Sequence, residues 1–131
     1  HMPKTYSLCK DKRLYLREAI SELFAKGSRI TVFPYTAIYH VLPEDDPQVA
    51  RVAIMTIAPK KKFRHAVDRN HVKRLTREAY RINKLPLIEA FTNARKKLQV
   101  AFIYNSNEQI TFQETELKIK KCIQLIMKKC L

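Results

Sequence analysis

The side chains best suited to chemistry in this sequence are cations, and they are concentrated in one stretch. Between Lys60 and Arg81 nine residues are Lys or Arg, and only Asp68 and Glu78 are acidic. Phosphate oxygens are the natural partners of such side chains. A cationic surface of this density, carried on a rigid element, is therefore interpreted as a phosphate-binding surface.

Helical periodicity places these cations on one face. The pattern predicts a helix over 68–85, which ends or kinks at Leu85-Pro86. At about 100° per residue, the cations and one amide fall within an arc of about 140°, with His71 and Glu78 at its border. The predicted exposed arc contains Arg69, Asn70, Lys73, Arg74, Arg77 and Arg81, and the predicted buried side contains Val72, Leu75, Ala79 and Ile82.

A solvated helix face is the alternative interpretation of this charge run. Such faces usually mix signs, with acid–base partners four residues apart. Here Arg69, Lys73, Arg77 and Arg81 follow one another at that spacing, so like charges repel. An anionic partner would compensate that repulsion, and the sequence therefore favours a binding surface.

A basic loop precedes the predicted helix. Residues 60–65 read KKKFRH, and Asp68 is predicted to cap the helix through its side chain. The helix N-terminus adds backbone N–H groups and a partial positive charge. Loop and first turn together predict a continuous anion-binding rim.

The acids and histidines predict no catalytic or metal site in the protein. A protein nuclease needs a metal-binding carboxylate cluster or a general acid/base pair. The acid run Glu44–Asp46 lies between two prolines and is typical of a solvated turn. The histidines His40, His65 and His71 show no paired arrangement. We predict that the isolated chain has no nuclease activity.

Composition predicts one domain spanning 1–131. The 131 residues carry a net charge of +14 and are 46% hydrophobic, enough for a core. Gly27 is the sole glycine, which excludes glycine-rich phosphate loops. His1 and Met2 are interpreted as a cloning remnant followed by the native start.

The expected location is the cytoplasm. Three cysteines, Cys9, Cys122 and Cys130, lack metal-binding spacing and are expected to be reduced thiols, the last two as small apolar residues of a helix. No apolar run approaches the roughly 20 residues of a membrane span, and no signal peptide is recognised. We therefore expect no membrane association.

The remaining pattern predicts an α+β sandwich with helices packed on a small mixed sheet. Gly27 is predicted as a left-handed C-cap of the first helix, and Pro34 as a break, bulge or edge position. The predicted elements are a helix over 11–26, strands over 30–42, 49–58 and 98–104, a short helix over 87–96, and a last helix starting in a capping box at Thr111.

Residues 66–77, AVDRNHVKRLTR, resemble the signature of the bacterial ribonuclease P protein subunit. That family has Arg-Asn-Arg at the start of its central helix, followed by a Lys-Arg pair. Segments 23–27, 53–62 and 111–131 are also similar to the family. His71 replaces the third motif arginine, so either the contact at that position changes or the ring packs against the helix.

The resemblance implies a subunit of an endoribonuclease that removes the 5′ leader from precursor tRNA. A catalytic RNA using divalent ions such as Mg²⁺ performs the hydrolysis, and the protein binds that RNA and the leader. It implies no cofactor held by the protein, no protein partner, and a left-handed crossover. The implied RNA-binding residues are Lys60, Lys61, Lys62, Arg64, Arg69, Asn70, His71, Lys73, Arg74, Arg77 and Arg81, and the implied leader-binding residues are Ile20, Phe24, Tyr39 and His40.

A second hypothesis is a non-catalytic RNA-binding protein of the ribosomal type, since charge alone does not separate the two. In either case single-stranded RNA favours a groove with aromatic stacking platforms. The candidates Phe24, Phe33, Tyr35 and Tyr39 could equally be core residues.

Overall fold

The computed structural model describes residues 18–131. The predicted features at His1, Met2, Cys9 and 11–17 lie outside these residues. The described elements are α1 (18–26), β1 (Ser28–Val32), β2 (Tyr35–Pro43), β3 (Val52–Ile57), α2 (Ala66–Asn83), α3 (Leu85–Asn93), β4 (Lys96–Tyr104) and α4 (Phe112–Cys130).

The four strands form one mixed sheet in the order β1-β2-β4-β3. β1–β2 and β2–β4 pair antiparallel, whereas β3 and β4 are parallel and are joined by a crossover containing α2 and α3. The prediction of one strand over 30–42 was wrong in extent, but the break at Pro34 is confirmed. Phe33 and Pro34 form the turn between β1 and β2, where proline's missing N–H removes no sheet hydrogen bond.

Helices cover both faces of the sheet. The three later helices pack against one face, where Phe91, Phe102 and Ile119 are fully buried. On the other face Leu23 of α1 packs against Ile38 and Ala101. Because successive strand residues point to opposite faces, β4 supplies both cores. The predicted α+β sandwich is confirmed, and the handedness of its crossover stays a prediction.

Gly27 has a different role from the one predicted. It does not adopt a positive φ, so the prediction of a left-handed C-cap was wrong. Its N–H donates to the Leu23 carbonyl oxygen at 2.8 Å. A Cβ atom at this position would lie 2.4 Å from that oxygen and 2.8 Å from Cγ2 of Ile38. A glycine is therefore needed here because the end of α1 and strand β2 approach each other closely.

The helix ends confirm one predicted cap and contradict another. The predicted capping box of α4 is present, with the Glu114 N–H donating to Oγ1 of Thr111 at 3.1 Å. Asp68 does not cap α2, because the helix begins at Ala66 and His65 is its N-cap without a side-chain bond. Pro86 lies in the first turn of α3, where its missing N–H is tolerated.

The cysteines of α4 behave as small apolar side chains, as predicted. Cys122 is fully buried, and burial raises the pKa of its thiol to about 12. Burial also raises the pKa of the half-buried Cys130. A raised pKa keeps both thiols protonated and unreactive near neutral pH. Within residues 18–131 no helix is both long and apolar enough to cross a membrane.

Candidate nucleic-acid interface

The buried face of α2 is rotated from the predicted one. Val72, Thr76, Ala79 and Tyr80 are buried, whereas Leu75 is half-buried and Ile82 is 50% exposed. The predicted burial of Leu75 is therefore confirmed only in part, and the predicted burial of Ile82 was wrong.

Two buried residues whose side chains carry a hydroxyl, Thr76 and Tyr80, account for this rotation. The hydroxyl of Thr76 donates to the Val72 carbonyl oxygen at 2.8 Å and lies 2.6 Å from the hydroxyl of Tyr35, which it joins to the helix. The ring of Tyr80 packs 6.2 Å from that of Phe102. A pattern that counts only aliphatic residues gives Thr and Tyr too little weight. Thr76 is buried with its hydroxyl paired, and the Tyr80 ring is buried although its hydroxyl has no hydrogen-bond partner within the described residues.

The cations of α2 consequently divide into two groups. Arg74, Arg77 and Arg81 are exposed together with Asn70, as predicted for the binding face. Arg69, Lys73 and His71 are half-buried at its margins. The exposed group forms the outer surface of the helix, and within the second group Arg69 bonds the loop and His71 contacts Arg74.

Arg69 holds the basic loop. Its Nη1 atom donates to the carbonyl oxygens of Phe63, at 2.9 Å, and of Arg64, at 3.2 Å. A guanidinium carries five N–H donors, so the remaining donors are able to meet an anion. The residue therefore links the loop to the helix as well as adding charge.

The basic loop has a fixed internal structure. The N–H groups of Lys62 and Phe63 donate to the Pro59 carbonyl oxygen at 3.0 and 3.3 Å. The ring of Phe63 is buried 5.8 Å from that of Tyr104. With this anchor in the core, Lys60, Lys61, Arg64 and His65 are exposed and Lys62 is half-buried.

Arg81 is an exception to the expectation of an unpaired cationic face. Its Nε donates to Oε1 of Glu78 at 3.0 Å, and a second bond joins the other carboxylate oxygen. These hydrogen bonds lower the pKa of Glu78. Glu78 was predicted at the border of the exposed arc, and its pairing with Arg81, three residues further on, was not predicted.

The other cations of the surface are not neutralised in this way. Among the described residues of the loop and α2, the recorded salt bridge is Arg81–Glu78. Arg77 instead donates to Oγ1 of Thr56 on β3 at 3.3 Å. The surface formed by the loop and α2 thus keeps most of its charge available to an external anion.

His71, the departure from the family motif, contacts another residue of the same helix. Its Nδ1 atom lies 3.4 Å from Nη2 of Arg74. Because a guanidinium only donates, the histidine nitrogen must accept, which places the ring proton of the neutral form on Nε2. The half-buried ring thus contacts the helix, while a contact of His71 with RNA stays a prediction.

A second concave surface lies on the opposite face of the sheet, beneath α1. This groove has a volume of about 250 Å³ and is almost entirely apolar. It contains Ile20 from the predicted leader-binding set. Phe24 does not line it, but packs against the cluster of Leu23, Ile38 and Ala101, whose Leu23 does. Its lining is Ala19, Ile20, Leu23, Ala53, Ile54, Met55, Gln99 and Val100.

The sequence missed the β3 and β4 residues of this groove. Ala53, Met55 and Gln99 alternate on the α1 side of neighbouring strands in register, since Ala53 pairs with Gln99. The alternation of residues along β3 and β4 was the sequence signal that could have identified them. It was obscured because β3 reads as continuously apolar, and all six of its residues are half-buried.

The structure does not bring all four predicted leader-binding residues together. His40 lies near α1, with Nε2 3.7 Å from Oε1 of Glu22. Tyr39 is buried in the core on the other face, where burial raises the pKa of its hydroxyl. The strand alternation separates the two neighbours, so Tyr39 is not part of the groove.

The candidate stacking aromatics also divide. Tyr35 is fully buried, and burial raises its pKa to about 12, so it is a core residue like Tyr39. Phe33 is 67% exposed at the β1–β2 turn, and Phe24 is half-buried. Phe33 and Phe24 are thus the two candidates with open ring surface.

The acidic turn is structured by its own contacts. Glu44 pairs with Arg51, and Oδ1 of Asp46 accepts from the Gln48 N–H at 2.9 Å. Over the part of the chain that the structure describes, no group of three His, Cys, Asp or Glu side chains is arranged to hold a metal ion.

Comparison with known proteins decides the family. The model of the Ribonuclease P family matches residues 8–127. The chain belongs to the ribonuclease P protein family. A ribonuclease P protein component from Porphyromonas gingivalis (strain W83) is 37% identical over 121 residues, which cover 92% of this chain and 87% of that protein. One from Chlorobaculum tepidum is 36% identical over 98 residues, covering 69% and 62%.

Solved ribonuclease P proteins share the fold. The Thermotoga maritima protein aligns with a TM-score of 0.65 and 18% identity, covering 84% of this chain and 93% of that one. The Staphylococcus aureus protein aligns with a TM-score of 0.64 and 14% identity, covering 83% and 89%. Family membership makes the chain the protein component of a ribonucleoprotein nuclease of tRNA processing, associated with ribonuclease P RNA.

Proposed function

We propose that the chain binds the catalytic RNA of ribonuclease P through the basic loop and α2, and the 5′ leader of precursor tRNA through the groove under α1. The observation that carries the proposal is the fixed cationic surface. Phe63 and Arg69 hold the loop against α2, so its lysines and the exposed arginines face outward together.

The contribution of this surface is electrostatic. The RNA subunit and precursor tRNA are both polyanions, and cations between them lower their mutual repulsion. The surface should therefore tighten the binding of substrate and of the Mg²⁺ ions that the RNA uses. If about six phosphates are contacted, log K falls against log salt with a slope of about −4 to −5.

The groove under α1 suits a single strand. Its apolar floor and the nearby Phe24 ring offer contact to unpaired bases, which stack on aromatic side chains with about 1–3 kcal/mol per base. β3 contributes Ala53 and Met55 to this groove, and the chain after its last residue, Ile57, leads into the basic loop. A strand leaving the groove toward that end of β3 would reach the loop lysines.

The protein takes no chemical step in this proposal. Hydrolysis of the precursor's phosphodiester bond falls to the RNA subunit with Mg²⁺. The protein's groups bind, orient and neutralise charge, and the isolated chain is expected to be inactive.

Reconstitution tests the proposal. Ribonuclease P RNA is assayed for precursor tRNA cleavage at low magnesium, with and without the chain, and we expect stimulation. The double variant Lys61→Ala/Arg74→Ala should lose most of it, whereas Lys120→Ala/Lys121→Ala, which removes two exposed cations of α4, should retain it.

The same assay separates the ribosomal-type hypothesis. A chain that binds RNA in a salt-dependent way but never stimulates cleavage would be a general RNA-binding protein. Equal losses in the two double variants would show that net charge, and not this surface, is responsible.

A further inference from the structure

One groove on the cationic surface differs in chemistry from its surroundings. It has a volume of about 320 Å³ and lies between α2 and the segment preceding α4. Its lining combines a carboxylate, two amides, an imidazole, a guanidinium and one apolar side chain. These residues are Val67, Asp68, Asn70, His71, Arg74 and Gln109.

Asp68 makes its own side of this groove unfavourable for a phosphate. Among the cations of the loop and α2, a carboxylate here repels phosphate oxygens. Its Oδ1 atom accepts from Nε2 of Gln109 at 3.3 Å, and a carboxylate with two oxygens has further acceptor capacity. A ligand that offers hydrogen-bond donors is therefore favoured on this side of the groove.

The rest of the groove fits the flat face and edge of a nucleobase. Val67 is 77% exposed at the rim and is thus an apolar surface on an otherwise charged helix. The Arg74 guanidinium is a planar surface on which bases stack. His71, whose Nδ1 is engaged by Arg74, presents a donor on the other ring nitrogen.

We propose that this groove binds one unpaired guanine of the RNA partner, with Asp68 as the specificity-determining residue. The inference rests on the proposed function, because it concerns a base within the RNA that the cationic surface binds. Unpaired bases turned outward are commonly read on their Watson–Crick edges.

Guanine follows from the geometry of a carboxylate. Its N1–H and N2 amino group are adjacent donors that meet the two oxygens of one carboxylate. Adenine and cytosine place one amino group beside a ring nitrogen that carries a lone pair. Uracil places its single N–H between two carbonyl oxygens. Both arrangements bring a lone pair against the carboxylate, so the groove discriminates against these three bases.

The test uses short single-stranded RNAs. Fluorescence anisotropy measures binding of the chain to a uridine oligomer and to the same oligomer with one central guanosine, adenosine or cytidine. We expect the guanosine oligomer to bind about tenfold more tightly than the others. Side chains that make two hydrogen bonds to one base discriminate between bases by a factor of this size. Asp68→Asn should remove this preference, because an amide offers one acceptor and one donor where guanine needs two acceptors.

The control is Glu89→Gln, which removes one exposed negative charge on α3, away from the groove. Both variants raise overall affinity through net charge, but only Asp68→Asn should change the ratio between oligomers. An equal ratio in the unaltered protein would overturn the proposal. A preference that persists in Asp68→Asn would also overturn it, and a lowered melting temperature of that variant would then assign Asp68 a structural role.

Failure of the proposed function would look different. In that case neither the oligomers nor ribonuclease P RNA would bind with the salt dependence of phosphate contacts, and both proposals would fall. Salt-dependent binding without discrimination would overturn only the guanine groove.

Discussion

Nη1 of Arg69 lies 2.9 Å from the carbonyl oxygen of Phe63. This bond joins the first turns of α2 to the loop that carries three consecutive lysines. The aromatic ring of the same phenylalanine is buried against Tyr104. With a second bond from the same Nη1 to the Arg64 carbonyl oxygen at 3.2 Å, the cationic loop is held at its backbone by the guanidinium and at the Phe63 side chain by the core.

Arg69 and Arg74 are expected to differ as a result. Arg69→Ala should weaken RNA binding and also lower the melting temperature, because hydrogen bonds from a charged donor contribute about 1.5–3 kcal/mol. Arg74→Ala should weaken binding and make the salt slope shallower by about one unit, with little change in stability. Thermal denaturation and salt-dependent binding assays measure both. Arg69→Lys is the control that keeps the charge, and recovery of full stability by lysine would contradict the proposed role of the guanidinium.

Phe63 should affect RNA binding without carrying any charge. Phe63→Ala removes a buried ring and is expected to cost about 3–5 kcal/mol of stability. Affinity for ribonuclease P RNA should also fall, since a loosened loop must be ordered on binding. Phe63→Leu, which keeps an apolar anchor, should lose less of both. Unchanged affinity of folded Phe63→Ala would show that the loop does not need its anchor.

The rotation of α2 predicts which apolar residues stabilise the fold. Leu87, fully buried on α3, should lose about 2–5 kcal/mol on substitution by alanine. Leu75→Ala should cost clearly less, because the side chain is half-buried, and Ile82→Ala should stay within about 0.5 kcal/mol. Urea denaturation of the three variants measures the order. A large loss for Ile82 would favour the helix orientation predicted from sequence.

The fold was largely predictable because its signals are local. Pro34 breaks a β-rich segment, Pro86 separates two helices, and the Thr111 capping box begins α4. These signals depend on backbone chemistry within a few residues, which a single sequence contains. The cationic face of α2 was predictable for the same reason.

The tertiary contacts were not predictable in the same way. The role of Gly27 depends on how closely β2 approaches, and the orientation of α2 depends on the pairing of Thr76 with Tyr35. Strand alternation alone separates Tyr39 from His40, but which of the two faces α1 depends on how the helices pack on the sheet. Each of these contacts joins segments distant along the chain, so periodicity within one segment does not contain them.

Buried groups that ionise predict a loss of stability at alkaline pH. Burial raises the pKa of Cys122 from 9.0 to about 12, and that of Tyr35 and of Tyr80 from 10.0 to about 12. Because the folded-state pKa values are raised, the folded protein holds these protons at pH values where the unfolded chain has released them. The contribution of these groups to the free energy of unfolding is then fully present below the unfolded pKa values, and it is lost as pH rises towards the folded-state values.

The expected decline therefore begins near pH 9 and continues towards about pH 12. Melting temperatures measured across this range should follow it. Cys122→Ala removes the more deeply buried of the two α4 thiols, which share an unfolded pKa of 9.0, so the decline near pH 9 should be weaker and most of it should begin nearer pH 10, from a lower starting stability because a buried sulfur is lost. Cys130→Ala, at a half-buried position, is the control and should shift the onset less. Identical onsets in the two variants would mean that exposed groups, and not the buried thiol, cause the alkaline transition.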